Sequence, residues 1–286
     1  MAITIGSNIS SLQAQRRLGN ATDQLSKTFE KLSSGQRINR ASDDAAGLAI
    51  ADSLRAQQRV ATVAIRNAND GISTIGIADS ALSQIGNVLS RLAELSEQSA
   101  NGVFSTTQRS ALSNEFTALG SEIERIANTT EFNGVKLLSG GSTLTLQVGF
   151  DSRANSQIAF SGVQGTLASL GLAASGSSAL TFSLNGIDIA TGQSASRATL
   201  DAVNSAISTL ASTRGSLGAV ESRLNVAINN LTVASENFAA AESRIRDVDV
   251  ASEAAELTRL NILQQAAASV LGQANQQPSL ALSLLR

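Results

Sequence analysis

The sequence predicts a mainly α-helical fold: a long coiled-coil or bundle rod with a small central β-hairpin region. Apolar residues near both ends recur in alternating steps of three and four, which places them on one face of a helix. Pro278 is the only proline among 286 residues, so long helices meet no proline break before it. Between residues 144 and 150 apolar residues alternate instead, which is typical of a half-buried strand.

The N-terminal arm, residues 1–33, is predicted to be one helix with a single apolar seam. Gly35 stands where this helix should end, because glycine readily adopts the left-handed conformation that closes helices. The seam residues of this arm are Leu18, Ala21, Leu25, Thr28 and Leu32.

Two further helices are predicted before the centre of the chain. The longer one runs from an N-cap at Ser42 to about Ala100, with Asp44 near the positive end of its dipole. The shorter one begins at Ser105, which has capping-box spacing to Gln108. The seam of the longer helix consists of Ile75, Ala78, Leu82, Ile85, Leu89 and Leu92.

The centre of the chain is predicted to hold short strands and tight turns. Strands are expected at 144–150, 156–160 and 180–184. The pairs Asn133-Gly134 and Asn185-Gly186 are typical turn sequences.

The C-terminal part returns to the helical pattern. A long helix is predicted from about Ala198 to Arg246, and a final arm from 251 to about 275 that Pro278 closes. A helix with one apolar stripe is not stable alone in water. The terminal arms are therefore expected to pack on each other and to keep leftover apolar surface for other copies, which indicates a polymer. The seams here include Leu224, Leu231, Leu257, Leu260 and Leu271.

Composition excludes several classes of function. The chain has no histidine and no cysteine, so it lacks the commonest general base, the commonest zinc ligand and all thiol chemistry. No enzymatic activity, cofactor or metal is therefore expected. A net charge of −2 without a basic cluster argues against nucleic acid as a partner. No apolar run approaches the roughly 20 residues of a membrane span, and the N-terminus carries no recognisable signal peptide.

Short motifs occur in both halves of the chain in a characteristic order. In the first half they are Leu32-Ser33-Ser34-Gly35, Asp43-Asp44-Ala45-Ala46-Gly47-Leu48-Ala49-Ile50, Gln98-Ser99-Ala100-Asn101 and Phe132-Asn133-Gly134-Val135-Lys136-Leu137-Leu138. In the second half they are Leu217-Gly218-Ala219-Val220, Ser243-Arg244-Ile245, Ile262-Leu263-Gln264-Gln265-Ala266 and Leu282-Ser283-Leu284-Leu285-Arg286. With these motifs, residues 1–172 and 197–286 closely resemble bacterial flagellin.

The resemblance implies a layered architecture. Residues 1–43 and 250–286 would form an inner helical layer, D0, and residues 44–170 and 197–249 the next layer, D1. Residues 171–196 would be a short variable surface segment in place of the large outer D2 and D3 domains of many flagellins. Filaments are expected to tolerate the removal of most of that segment.

The resemblance also implies a function. The chain would be the structural subunit that polymerises into the extracellular bacterial flagellar filament for swimming, after export by the flagellar type III route. Its partners would be other copies of itself, an export chaperone, and the cap and hook–filament junction proteins. The alternatives are a hook–filament junction protein, which shares the terminal arms, and a soluble helical coiled-coil adaptor.

Two surface features resemble those of other flagellins. Arg91, Leu95 and Glu115 match the surface that an animal innate-immune receptor recognises, although Ala93 stands where the pattern often has a second arginine. The plainer interpretation is a solvated helix face with Leu95 packing between protofilaments. Serine and threonine residues in 139–200 would carry O-linked glycans or simply serve turns.

Overall fold

The computed structural model describes residues 7–139, 143–160, 163–186 and 188–284, and in these ranges it contains five α-helices and two β-hairpins. The helices are α1 (Ile9–Ser34), α2 (Ala45–Ala100), α3 (Thr106–Thr129), α4 (Ile189–Arg246) and α5 (Val250–Leu284). The strands are β1 (Glu131–Phe132), β2 (Val135–Lys136), β3 (Leu144–Gln147) and β4 (Gln157–Phe160). The mainly helical fold is as the sequence predicts. The first six residues of the predicted arm lie outside the described residues.

The chain forms two compact units that divide inside α2 and inside α4. Unit 1 comprises residues 1–58 and 236–286, and unit 2 comprises residues 59–235. The limits expected for the D0 layer, at residues 43 and 250, lie near junctions between helices. Unit 1 extends past both limits into α2 and α4, so it is larger than the expected D0 layer.

In unit 1, α1 packs along α5, as the seams of the two arms predict. The Asn8 side chain caps α1 by accepting a hydrogen bond from the Ser11 N–H, and it donates one to the Ala274 carbonyl at 2.7 Å. At the other end, Gly35 has φ +71° and closes α1 in the predicted left-handed conformation.

The connector after α1 pairs with the connector after α4. The Arg37 N–H donates to the Arg246 carbonyl at 2.6 Å, and the Val248 N–H donates to the Gly35 carbonyl at 3.1 Å. Asp249 then accepts two backbone hydrogen bonds in the first turn of α5 and so caps that helix.

The N-cap of α2 is Asp44, which corrects the prediction of Ser42. The Asp44 carboxylate accepts a hydrogen bond from the Gly47 N–H at 2.8 Å, in the first turn of the helix. Asp43 accepts from the N–H groups of Arg40 and Asn39, and these bonds lower the pKa of its carboxyl below the ordinary value. The connector forms a turn at residues 41–43, so the helix starts later than an N-cap at Ser42 would place it.

Unit 2 has one continuous apolar core shared by α2, α3 and α4. The whole α2 seam from Ile75 to Leu92 is buried in it. Phe116 and Ile123 of α3 and Leu210 of α4 are buried in the same core. The predicted capping box between Ser105 and Gln108 begins α3.

Two small antiparallel hairpins follow α3. The turn between β1 and β2 is Asn133-Gly134, with φ +48° and +78°, which is the backbone that Asn-Gly favours in a two-residue hairpin turn. Strand β3 pairs with β4 in the register Leu144 to Phe160. The strand predicted at 180–184 is absent from the described structure, where Leu180 makes only an isolated bridge to Ala173.

The segment 171–196, expected to lie on the surface, contributes to the core of unit 2. Leu172 and Leu184 are completely buried, and Leu180 lies so close to Gly120 that a Cβ there would overlap it. Helix α4 also begins inside this segment, capped by Asp188, well before the predicted residue 198. The segment therefore combines exposed residues with leucines that pack in the core, and the tolerance of filaments to its removal stays a prediction.

Helix α5 continues past Pro278 to Leu284, so the prediction that Pro278 closes the arm is wrong. A proline removes one backbone donor from a helix, and here the backbone on both sides of it stays helical. Within the described ranges, none of the helices is both long and apolar enough to cross a membrane.

We expect Leu184→Ala to lower the free energy of unfolding of the chain by about 2–5 kcal/mol, because it leaves a cavity in the unit 2 core. Chemical denaturation followed by circular dichroism measures this loss. Val103→Ala, at an exposed position of the same unit, is the control and should change stability by less than about 0.5 kcal/mol. If Leu184→Ala also lowered the stability by less than about 0.5 kcal/mol, Leu184 would not be part of the core.

Candidate assembly interface

The leucines expected to form assembly seams are used for packing inside the chain. Leu82, Leu89 and Leu224 are completely buried in unit 2. Leu231 in unit 2 and Leu260 in unit 1 are buried as well. The remaining seam leucines are partly buried in unit 1: Leu18, Leu25, Leu32, Leu257 and Leu271. The buried seam leucines are therefore occupied inside the chain, and contact of the partly buried ones with other copies stays a prediction.

The open apolar surface of unit 1 lies beside the seams of α1 and α5. Phe29 is 64% exposed although phenylalanine is among the most often buried residues. The exposed large apolar side chains of the two helices are Ile9, Leu12, Phe29, Val250, Ile262, Leu263 and Val270. Each contributes about 1.5–3 kcal/mol when it is fully buried, so covering this surface would be strongly favourable.

The interior of the α1–α5 pair is correspondingly thin. Among the side chains that the structure describes in these two helices, the buried ones are small or polar apart from one leucine: Ala14, Thr28, Leu260 and Ala274. Exposed hydrogen bonds supplement them, such as those from Ser11 Oγ to Asn275 Oδ1 at 2.6 Å and from Gln264 Nε2 to Thr22 Oγ1 at 3.2 Å. These bonds set the register of the two helices but add little stability, because water competes for both partners.

A shallow groove runs between α1 and α5. Small side chains form its floor, and Leu263 and Val270 form one apolar wall. The polar rim on the α1 side comprises Arg17, Asn20 and Gln24. An apolar floor with a polar rim is the arrangement found where an amphipathic helix docks into a groove. The groove can therefore receive a helix from another chain.

Arg91 and Glu115 form an ion pair on the surface of unit 2. Arg91 Nε and Nη2 donate to the same oxygen of Glu115 at 3.0 and 2.8 Å, and Nη1 donates to Glu94 at 2.8 Å. The hydrogen bonds to Glu94 and Glu115 raise the pKa of Arg91 above its ordinary value. Both members of the pair remain about half exposed, so a partner can reach them.

Leu95 does not share this surface. It is completely buried in the core of unit 2, next to Leu92 on the same side of α2. Residues four apart lie about 40° apart around a helix, which is enough to place Arg91 outside the core and Leu95 inside it. The expectation that Leu95 contacts a receptor or a neighbouring protofilament is therefore corrected.

A second ion pair joins α4 to α2 within unit 2. Arg214 donates to both oxygens of Asp79, from Nε at 2.7 Å and from Nη2 at 3.1 Å. The hydrogen bond from Arg214 lowers the pKa of the Asp79 carboxyl below its ordinary value. The pair fixes the position of α4 along α2 at the edge of the core.

The exposed residues Phe29, Leu12 and Leu263 were not among the assembly residues predicted from the sequence. They lie off the three-and-four seam, so a search for one stripe per helix passes over them. A large apolar residue beside the seam would have indicated them in the sequence, as in the adjacent pair Ile262-Leu263. Of the predicted site residues, the structure brings Arg91 and Glu115 together and separates Leu95 from them.

Comparison with known proteins relates the whole chain to one group. The family model described as bacterial flagellin N-terminal helical region matches residues 5–143, and the one described as bacterial flagellin C-terminal helical region matches residues 200–285. A flagellin from Halalkalibacterium halodurans is 46% identical over 283 residues, and one from Bacillus subtilis is 42% identical over 304. The flagellar filament 33 kDa core protein of Treponema phagedenis is 40% identical over 291 residues. Each alignment covers 99% of this chain and 99% of the relative.

The Asp79–Arg214 pair should make unit 2 more stable at neutral pH than in acid. Because the folded-state pKa of Asp79 is lowered, its stabilisation is complete above the unfolded-state pKa and is lost as the pH falls through the folded-state pKa. Asp79→Asn should therefore lower the free energy of unfolding by about 0.2–1 kcal/mol at pH 7 and by less in acid. Thermal unfolding between pH 7 and pH 2 checks this, with the exposed Asp201→Asn as control. A difference from wild type that is constant across this range would contradict the assignment.

Proposed function

The chain belongs to the bacterial flagellin family, and we propose that the open apolar surface of α1 and α5 is where its copies pack into a filament. The protein is the structural subunit of the bacterial flagellar filament, which lies outside the cell and serves swimming motility. It reaches that place by the flagellar type III export route.

The exposed side chains beside the seams support this proposal. Phe29, Leu263 and Val270 are exposed in a helix pair whose described buried side chains are mostly small and whose seam leucines are only partly buried. Ordering a helical residue costs about 1–2 kcal/mol of backbone entropy, and a thin interior offsets little of it. Another copy that fills the groove supplies the missing apolar contact, so the pair becomes stable in the polymer.

The two units would then have separate roles. Unit 2 has its own apolar core and can fold in a single chain, whereas unit 1 gains its stability from neighbours. A subunit of this kind stays soluble before assembly because its exposed apolar surface is limited to α1 and α5, which are only marginally stable in the monomer. Addition to a growing end then couples the ordering of α1 and α5 to binding.

The two alternative functions receive no support from a specific observation. The relatives that match over almost their whole length are named flagellins or a filament core protein, which favours the filament subunit over a junction protein. A soluble adaptor would leave the exposed groove of unit 1 without a use.

We propose further protein partners for the terminal helices, and glycans on the loops of unit 2. The export chaperone, the cap and the hook–filament junction proteins would each meet the terminal helices before or during assembly. O-linked glycans would be attached to exposed hydroxyls in the loops of unit 2, such as Ser152, Ser175 and Ser178. In the region predicted for glycans, residues 140–142, 161–162 and 187 lie outside the described residues.

The innate-immune receptor is proposed to read the Arg91–Glu115 pair. Arginine presents a planar fork of donors and is frequently an energetic centre of interfaces. Leu95 would support this surface from beneath as a core residue and would make no contact itself.

We expect Leu263→Asp to prevent filament formation while unit 2 stays folded. A carboxylate in the groove would be buried against a neighbour without a partner, which costs several kcal/mol for each contact. Asn261→Asp, which adds the same charge at a polar exposed position of α5, should still form filaments. Electron microscopy and sedimentation measure assembly, and circular dichroism verifies the fold. Normal filaments from Leu263→Asp would show that the groove is not an interface.

Arg91→Ala should lower receptor activation by the monomer about tenfold or more, as expected for the loss of an interface arginine. Glu115→Ala should act in the same direction because the pair shares one surface. A reporter-cell titration with purified monomer measures the effect, and Arg223→Ala provides an exposed charge-matched control on α4. Wild-type activation by both variants would remove this site from the proposal.

A further inference from the structure

The loop that follows α2 places an exposed Asn-Gly bond beside a buried cation. Asn101 and Gly102 are exposed, and Arg109 in the first part of α3 is only 1% exposed. Arg109 Nη2 donates a hydrogen bond of 2.8 Å to the main-chain carbonyl oxygen of Asn101. That carbonyl belongs to the peptide group whose nitrogen is the N of Gly102.

The guanidinium of Arg109 is poorly satisfied. Its Nε and Nη1 are buried and have no hydrogen-bond partner in the described structure. No carboxylate of the described residues lies within ion-pair distance of it. Its side chain lies where a Cβ on Gly192 would press against it, in the first turn of α4, and the helix dipole there adds further positive potential. Any negative charge that develops on the Asn101 carbonyl oxygen would be strongly stabilised at this place.

We propose that the Asn101–Gly102 bond is a site of spontaneous deamidation, and that Arg109 promotes it. Hydroxide removes the proton from the Gly102 nitrogen, and the resulting negative charge is shared with the carbonyl oxygen that Arg109 binds. The nitrogen attacks Cγ of Asn101 and forms a bond to it. The bond from Cγ to Nδ2 breaks, and Nδ2 leaves as ammonia after taking a proton from water. The product is a five-membered succinimide ring.

The local geometry favours the attack. The Val103 N–H donates to Asn101 Oδ1 at 3.2 Å, which polarises the side-chain carbonyl and keeps the amide folded over the next residue. Gly102 has no side chain to obstruct the approach to its nitrogen. An added Cβ there would overlap the amide of Gln193.

Arg109 also directs the second step. Water adds to the main-chain carbonyl of the ring, which Arg109 polarises, and the bond from that carbon to the Gly102 nitrogen breaks. The nitrogen stays on Cγ, so the product is isoaspartate with a free α-carboxylate. Overall one amide and one water become one carboxylate and one ammonium ion. The new charge lies at the atoms that Arg109 already contacts and supplies an acceptor to a buried cation.

The chain contains two other Asn-Gly pairs that serve as internal references. Asn133 lies in the β1–β2 turn, and Gly186 packs against the backbone of Gly192. Neither Asn133 nor Asn185 has a cation bound to its main-chain carbonyl in the described structure. All three pairs have the sequence Asn-Gly, so a difference between their deamidation rates in the folded chain reflects their different folded environments.

The test compares deamidation in the folded chain and in the chain unfolded with guanidinium chloride at the same pH. Tryptic peptides containing each asparagine are quantified over time by mass spectrometry, with fragmentation that separates isoaspartate from aspartate. The ratio of the Asn101 rate to the Asn133 rate should be at least about tenfold higher in the folded chain, as expected for one charge-assisted hydrogen bond. An equal or lower ratio would overturn the proposal.

Variants of the folded chain assign the effect to the guanidinium. Arg109→Ala should reduce the deamidation rate of Asn101 about tenfold. Arg197 is an exposed arginine beside the same pocket as Asn101, and Arg197→Ala should leave the rate unchanged. Equal slowing by both variants would contradict the role of the Arg109 hydrogen bond. If Arg109→Ala does not fold, the rate at Asn101 itself is compared in folded and unfolded wild type, and a rate that is no faster in the folded chain would overturn the proposal.

Discussion

Burial of a limited supply of apolar side chains is the constraint on which this structure depends. Aromatic residues make up only 3% of the chain, so the interior is built from leucine, isoleucine, valine and alanine on helix seams. Unit 2 concentrates these residues in one continuous core that joins three helices and the loop around Leu172 and Leu184. Unit 1 has few of them inside, and its larger apolar side chains are exposed. The filament subunit thus combines a self-sufficient unit with one that other copies complete.

Most of the buried polar side chains described in unit 2 lie at one end of its core, and this has chemical consequences. Ser99 and Ser196 are buried there, joined by a hydrogen bond of 2.9 Å, and Ser196 also donates to the Gly192 carbonyl at 2.8 Å. Arg109 is buried at the same end without a carboxylate partner. The packing that brings the start of α4 against α3 also places this cation beside the loop after α2. A tightly packed end of the fold therefore creates a reactive peptide bond on an exposed loop.

The features that sequence reasoning predicted correctly are those fixed by neighbouring residues. The left-handed Gly35, the Ser105–Gln108 capping box and the Asn133-Gly134 turn each depend on a few adjacent positions. Features set by packing between distant segments were missed. Leu180 and Leu184 look like alternate residues of a strand, but they pack without a partner strand. Leu95 was placed on a surface by the resemblance to other flagellins, whereas its burial here depends on where α3 and α4 pack against α2. The exposed apolar residues of unit 1 were missed because an apolar seam identifies the buried face of a helix and gives no information about apolar residues on its other faces.

Hydrogen–deuterium exchange of the monomer and of the assembled filament shows whether α1 and α5 become stable only when other copies cover them. We expect amides of α1 and α5 to exchange within seconds in the monomer, while those of α2 around Leu82–Leu95 are protected by the unit 2 core. In the filament, α1 and α5 should become as protected as that part of α2. Equal and strong protection of α1 and α5 in both states would contradict this expectation, because the helix pair would then be stable without other copies.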